Sequence, residues 1–243
     1  MTDATLLFLP GHMCDARAWA PVASMLAADG HAIAHARLDR DDSIDAMAAR
    51  VLADHPGRLV PIGFSMGAIA ALALHRAAAD RIDGLCLVGI NAGPDLPERS
   101  AMRREQQQAV RDGALTRIAR DGLVPHYFAR GTANADALGD LCVEMAEVVG
   151  ADAFVRQSEA LRLRPDGRPG LAAIACPALV IGAEEDRLCP PDWHRQTAAA
   201  IPNAELHIIA DAGHMALIER SDIMAGLIRD WLDTHRLGNN RDA

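Results

Sequence analysis

Gly63-Phe64-Ser65-Met66-Gly67 lies between an apolar run, Leu59-Val60-Pro61-Ile62, and a small-residue stretch, Ala68 to Ala79. A short apolar strand, a Gly-x-Ser-x-Gly turn and a helix together form the context of a nucleophile elbow. Such a turn is tight enough to force the serine to positive φ. It also presses together the residues two before and two after, and Gly63 and Gly67 supply the missing bulk. The Ser65 hydroxyl is then lifted clear of the sheet, at the positive end of the following helix. Glycine and serine are ordinary turn residues, so the five letters alone carry little. The strand before them and the helix after them give the reading its force.

Outward from the elbow, short apolar runs alternate with helical periods. Thr5 to Leu9 reads as a buried strand ending at Pro10-Gly11. Asp15 can cap a helix over 16–28 that turns Trp19, Val22, Met25 and Leu26 inward. A strand over 32–38 and a helix from Ile44 to about Leu52 come before the elbow, and a strand over 84–90 comes after it. Near-continuous apolar strands alternating with helices predict a mostly parallel sheet, of about six strands, covered by helices on both faces.

Residues 95 to about 170 break the pattern. They offer helices near 98–112, 114–122 and 152–163. Another begins at Asp136, with Leu138, Leu141, Cys142, Met145, Val148 and Val149 on one face. We read 95–170 as an all-helical lid inserted in a core made of 1–94 and 171–237. The core pattern resumes at Ala178-Leu179-Val180-Ile181-Gly182, with a helix at 191–200, a strand at 205–210 and a last helix over 218–237. Residues 238–243 read as a flexible polar tail.

A serine hydroxyl needs a base, and the base needs a carboxylate to fix its tautomer. Of ten histidines, His214 is the best placed. It lies between the last strand and the last helix, so its loop should emerge at the carboxyl edge of the sheet with the elbow. The acid should fall between serine and histidine in chain order. Glu184, Glu185 and Asp186 follow a strand, and Asp186, four residues past Gly182, can turn back over the sheet. Asp95 is the fallback. The backbone N–H groups of Met66 and of His12, with Met13 as the alternative to His12, are the expected donors to an oxyanion.

These motifs in this order resemble the α/β-hydrolase family. The resemblance is carried by Leu9-Pro10-Gly11-His12 with Trp19 downstream, the elbow, Gly182 through Asp186 to Pro190, and Gly213-His214-Met215 followed by Glu219. It spans nearly the whole chain and is similar to small single-lid bacterial members, such as the pimeloyl-carrier methyl ester esterases. It implies an α/β-hydrolase fold with Ser65, Asp186 and His214 as the triad. Pro10 stands where many relatives carry histidine. The chain begins at what would be the family's third strand, so an edge hairpin is expected to be absent.

The expected activity is cleavage of a carboxylic ester or thioester, free or carrier-bound, through an acyl-enzyme. A lyase or C–C bond hydrolase using the same triad is the alternative. A non-catalytic scaffold is disfavoured because every triad member and both elbow glycines are present. Met13, Leu123, Tyr127 and Phe128 are candidates to line the substrate pocket. Arg99, Arg103, Arg104, Arg162 and Arg164 could attract an anionic acyl group or acidic carrier. Interspersed Glu98, Glu105 and Glu159 make a solvated face the simpler reading.

The remaining signals exclude more than they assign. The formal net charge is −9, against general affinity for nucleic acid or anionic membranes. Aromatic residues make up 3% of a half-hydrophobic chain, so aliphatic residues must build the core. No apolar stretch is long enough to span a bilayer, and no Gly-rich phosphate loop is present. His31 and His35 sit on a strand and share no helical face. No cofactor and no metal are expected. Five scattered cysteines without a C-x-x-C pair, and no basic leader, point to a cytoplasmic protein with reduced thiols.

Overall fold

The structure is a computed structural model that describes residues 4–238. Of the tail expected over 238–243, residues 239–243 lie outside the described residues. In chain order the elements are β1 (Thr5–Leu9), α1 (Ala20–Ala28), β2 (Ile33–His35), α2 (Ile44–Asp54), β3 (Leu59–Phe64), α3 (Met66–Ala77) and β4 (Leu85–Val88). The helical segment α4 (Pro97–Arg111), α5 (Leu115–Arg117), α6 (Ala135–Val149) and α7 (Ala151–Leu163) follows. The chain then returns through β5 (Ala178–Ala183), α8 (Pro191–Ala200), β6 (Ala204–Ile209), α9 (Ala216–Glu219) and α10 (Ser221–His235). This is an α/β-hydrolase fold.

The six strands are parallel throughout, in the order β2-β1-β3-β4-β5-β6. Parallel pairing aligns every carboxyl end on one edge: Leu9 pairs with Gly63, Phe64 with Val88, and Val88 with Ile181. Side chains alternate between the faces of a strand. Leu6 and Phe8 therefore join a core with α1 and α10, built around Trp19, Met224 and Trp231. Leu7 and Leu9 join the opposite core, with Met47, Val51 and the alanines of α3. Those alanines are the aliphatic economy expected from the composition; they let α3 lie close on the sheet.

Several boundaries differ from the sequence expectation, each for a local reason. β2 is an edge strand that keeps pairing only to His35. Beyond it Ala36 gives one last amide to Phe8 O, and Gln157 of α7 then binds the Leu38 carbonyl and leads the chain away. The helix expected over 16–28 breaks at Trp19 into a 3-10 turn capped by Asp15 and α1 proper. The break lets the buried indole donate to Leu9 O at 3.0 Å. The helix expected over 114–122 is a chain of short pieces, α5, a π turn at Ile118–Leu123 and a 3-10 turn at Val124–His126. The last helix is split at Arg220 into α9 and α10. On α6 the buried stripe is Gly139, Cys142, Val143, Met145 and Ala146; Val148 falls outside it and is 72% exposed.

Candidate active site

Ser65 stands between β3 and α3 with φ 52° and ψ −111°, the left-handed region where a serine is strained. Its own amide is tied to Val88 O at 2.8 Å, which fixes the turn to the neighbouring strand. A side chain on Gly63 would overlap the Gly67 carbonyl, and one on Gly67 would overlap the Leu9 and Pro10 carbonyls. The two glycines are therefore obligatory at this crossing.

The loops after β5 and β6 bring the other two groups to the serine. His214 Nε2 lies 3.1 Å from Ser65 Oγ, and His214 Nδ1 lies 2.8 Å from Asp186 Oδ2. The carboxylate can only accept, so Nδ1 carries the proton and Nε2 is free to accept one from the serine. Both partner side chains are almost fully enclosed, at 4% and 1% exposure. Burial by itself would raise the Asp186 carboxyl. The charge and hydrogen bond of His214, with the amides of Cys189 and Leu188, outweigh burial and hold it below the usual carboxylate range. Both amides donate to Oδ1 at 2.8 Å. Asp95 does not approach His214; it pairs with Arg103 and Arg164. Glu184 is exposed, and Glu185 accepts from the Arg130 amide instead.

Two backbone amides near the elbow are without an acceptor among the described residues. Met66 opens α3, so its amide has no acceptor within the helix. The His12 amide, in the loop after β1, donates to nothing among the described residues. The Met13 amide is spent on Gln157 Oε1 at 2.9 Å, so of the two only the His12 amide is free in that loop. Met13 itself has φ 57°, so Gln157 pins a strained residue. The His12 ring packs edge-on against Phe154. Burial, followed by the nearby charge of Arg103, lowers its pKa to about 3, so the ring is neutral.

A cavity of about 110 Å³ opens beside Ser65 and His214. Of the four residues named from the sequence, Leu123 and Tyr127 line it, and Met13 and Phe128 do not. Met13 is buried in a small cluster with Val110, Val143 and Phe154, and Phe128 packs beside Tyr127 and Gly139. For Phe128 the short broken turns between α5 and α6 decide this, and for Met13 the loop after β1, where it sits at φ 57°. Periodicity cannot assign side-chain direction in such a stretch. Arg99, Arg103 and Arg164, discounted above as a solvated face, also line the cavity. Arg104 is exposed, while Arg162, only 14% exposed, pairs with Glu159.

Glu219 was legible only as a motif neighbour, and the structure gives it a task. Its Oε1 accepts from the Gly213 amide at 2.9 Å, while Oε2 accepts from the Ala129 amide at 3.0 Å and the Thr132 hydroxyl at 2.5 Å. The Met215 amide donates to Tyr127 O at 3.0 Å. The histidine loop is thus stitched to the segment 127–132. Glu219→Gln places an amide NH2 against one of these donors. It is expected to destabilise the fold by about 1–3 kcal/mol in urea denaturation and to lower kcat more than it changes KM. Wild-type stability and kcat together would remove Glu219 from this role.

Donor atoms of Asp186, Cys189 and His214 lie within 4.8 Å of one another, close enough to hold a metal ion. The Asp186 carboxylate already accepts from the imidazole and two amides, and burial raises the Cys189 thiol well above its usual range. The set suits proton handling better than cation binding.

A strained serine after a central strand, with a histidine beyond the last strand, defines a class of enzymes on the α/β-hydrolase fold. The chain belongs to the alpha/beta hydrolase family, whose profile matches residues 6–227. It is 29% identical over 202 residues to 2-hydroxy-6-oxononadienedioate/2-hydroxy-6-oxononatrienedioate hydrolase 2 of Pseudomonas putida, covering 81% of this chain and 70% of that one. A thermophilic esterase from Thermogutta terrifontis, solved with malate bound, superposes with a TM-score of 0.87 at 26% identity, over 96% of this chain and 91% of that one. The enol-lactonase of Burkholderia xenovorans LB400 shares the fold, with a TM-score of 0.83 at 24% identity over 96% and 92% of the two chains. No helix among the described residues is long and apolar enough to cross a membrane.

Proposed function

We propose that this enzyme is a serine hydrolase that cleaves a carboxylic ester or thioester, free or carrier-bound, through an acyl-enzyme. The observation that carries the reading is the continuous relay from Ser65 Oγ through His214 to Asp186 at the wall of a cavity. In this scheme Ser65 attacks the carbonyl carbon while His214 Nε2 takes its proton, and Asp186 steadies the imidazolium. The amides of Met66 and His12 hold the oxyanion. His214 then returns the proton to the leaving alcohol or thiol. Water, deprotonated by the same imidazole, releases the acid. The helical segment 95–170 acts as a lid over the core formed by 1–94 and 171–237. Five free cysteines fit a reducing compartment, and we place the enzyme in the cytoplasm.

The second reading, a lyase or C–C bond hydrolase using the same three residues, is favoured by the likeness to the Pseudomonas putida 2-hydroxy-6-oxononadienedioate hydrolase. Trapping separates them. Rapid quenching of a 4-nitrophenyl ester reaction, followed by peptide mass analysis, is expected to find the acyl group on the Ser65 peptide. Turnover of a vinylogous 1,5-diketone with no acyl adduct on Ser65 from any ester would reject the ester reading in favour of the other.

A further inference from the structure

The chain carries a formal charge of −9, yet the cavity beside Ser65 is lined by three arginines and by no aspartate or glutamate. The acid paired with two of these arginines is Asp95, whose side chain is 1% exposed. It accepts from Arg164 Nη1 at 2.8 Å and from Arg103 Nε at 3.0 Å. Two guanidinium groups thus share one carboxylate. Most of the other donors of Arg164 are taken: Nε donates to Gly93 O, Nη1 also to Leu161 O, and Nη2 to Pro94 O. It anchors Asp95 rather than facing a ligand. Arg99 gives one donor to Leu188 O and lies 5.4 Å from the Trp193 ring centre.

Arg103 differs from both. Only its Nε is engaged, and neither Nη has a partner among the described residues, although the side chain is just 15% exposed. Donors taken largely out of water without acceptors are costly, and a charged donor more so. A guanidinium held by its Nε presents its two Nη groups as an open edge, a geometry matched to the two oxygens of a carboxylate.

Resting on the acyl-transfer reading of Ser65, we propose that the substrate carries a carboxylate remote from its scissile carbonyl. The Nη edge of Arg103 receives that carboxylate, and Asp95 and Arg164 hold Arg103 in position. A site built to bind a charged group discriminates strongly against a neutral analogue, because its own donors are then left unpaired.

The test uses ratios of kcat/KM within one protein sample, which cancel the folded fraction. One pair, 4-nitrophenyl hydrogen glutarate against 4-nitrophenyl hexanoate, places the charge on the acyl side. The other, the acetyl ester of 4-hydroxybenzoate against that of 4-hydroxybenzamide, places it on the leaving group. The unsubstituted enzyme is expected to favour the anionic member of one pair by about tenfold or more, which identifies the side. Arg103→Met should reduce that ratio at least about tenfold, and Arg103→Lys should recover part of it. Ratios at or below one for both pairs in the unsubstituted enzyme, or a ratio unchanged by Arg103→Met, would overturn the proposal.

Failure of the acyl-transfer reading is separable. Should Ser65 take no acyl group from any ester, calorimetry with glutarate decides the carboxylate site alone. Binding weakened about tenfold or more by Arg103→Met upholds it. Equal binding to both proteins, or none to the unsubstituted enzyme, rejects it.

Discussion

Ser65→Ala is expected to lower kcat/KM on an activated ester by roughly ten-thousandfold or more, and to abolish any burst of 4-nitrophenol. The size follows from what is lost. The alanine keeps the backbone, the Met66 and His12 amides and the cavity, so residual carbonyl polarisation survives. It removes the one oxygen that His214 Nε2 can activate, at 3.1 Å. The other two members then have nothing to act on, which is why such groups lose activity as a unit rather than additively. Alanine also fits the site: a Cβ is already present at φ 52°, so stability should change little. Circular dichroism and a denaturation midpoint near those of the unsubstituted protein would show that the loss is chemical. Activity retained within tenfold would refute the assignment of Ser65.

Gly67→Ala should instead strike the fold. The added methyl would meet the carbonyls of Leu9, the last residue of β1, and Pro10, just beyond it, which are backbone atoms and cannot rotate away. Relief requires moving α3 off the sheet, which costs the packing of Met66, Ala68, Ala70 and Ala71, all buried. The usual cost of overpacking is about 1–3 kcal/mol where side chains can yield. Here none can, and we expect more than about 3 kcal/mol, read as a fall in the urea midpoint at unchanged slope, or failure to accumulate folded protein. A midpoint equal to that of the unsubstituted chain would contradict the close crossing of α3 over β1.

The two outcomes separate roles that share five residues. In the proposed reaction the serine serves the chemistry, and the glycines provide steric clearance. That division was legible in the sequence, because an elbow is a local object: its strand, turn and helix are contiguous, and the constraints act over two residues in either direction. Strand positions were legible for the same reason, as apolar runs bounded by turn residues. Asp186 and His214 could be placed because parallel pairing brings every strand's carboxyl end to one edge, so chain order becomes spatial order.

Side-chain direction in the helical segment was not legible in this way. Arg99 and Arg103 lie four apart on α4, interleaved with Glu98 and Glu105, a pattern that normally faces solvent. Arg103 turns inward to Asp95, at the end of the β4 loop, which is held in turn by Arg164 from beyond the end of α7, and Arg99 turns inward to Leu188 O and the Trp193 ring. Asp95 and Arg164 are separated from Arg103 by 8 and 61 positions, and local periodicity holds no information about either. Phe128 turns away from the cavity for the related reason that broken helical turns set its direction, and Met13 because Gln157, remote in sequence, holds the loop after β1.

By itself, then, the sequence determined the sheet, the elbow and the edge at which the reacting groups assemble, since each follows from contacts between near neighbours or from the single direction of parallel strands. The tertiary structure alone decided which charges face the cavity, which amide of the 12–13 loop is free, and how Glu219 holds the histidine loop. Those depend on where remote segments pack, and burial of a charge or a donor is a property of the assembled surroundings, never of the residue type.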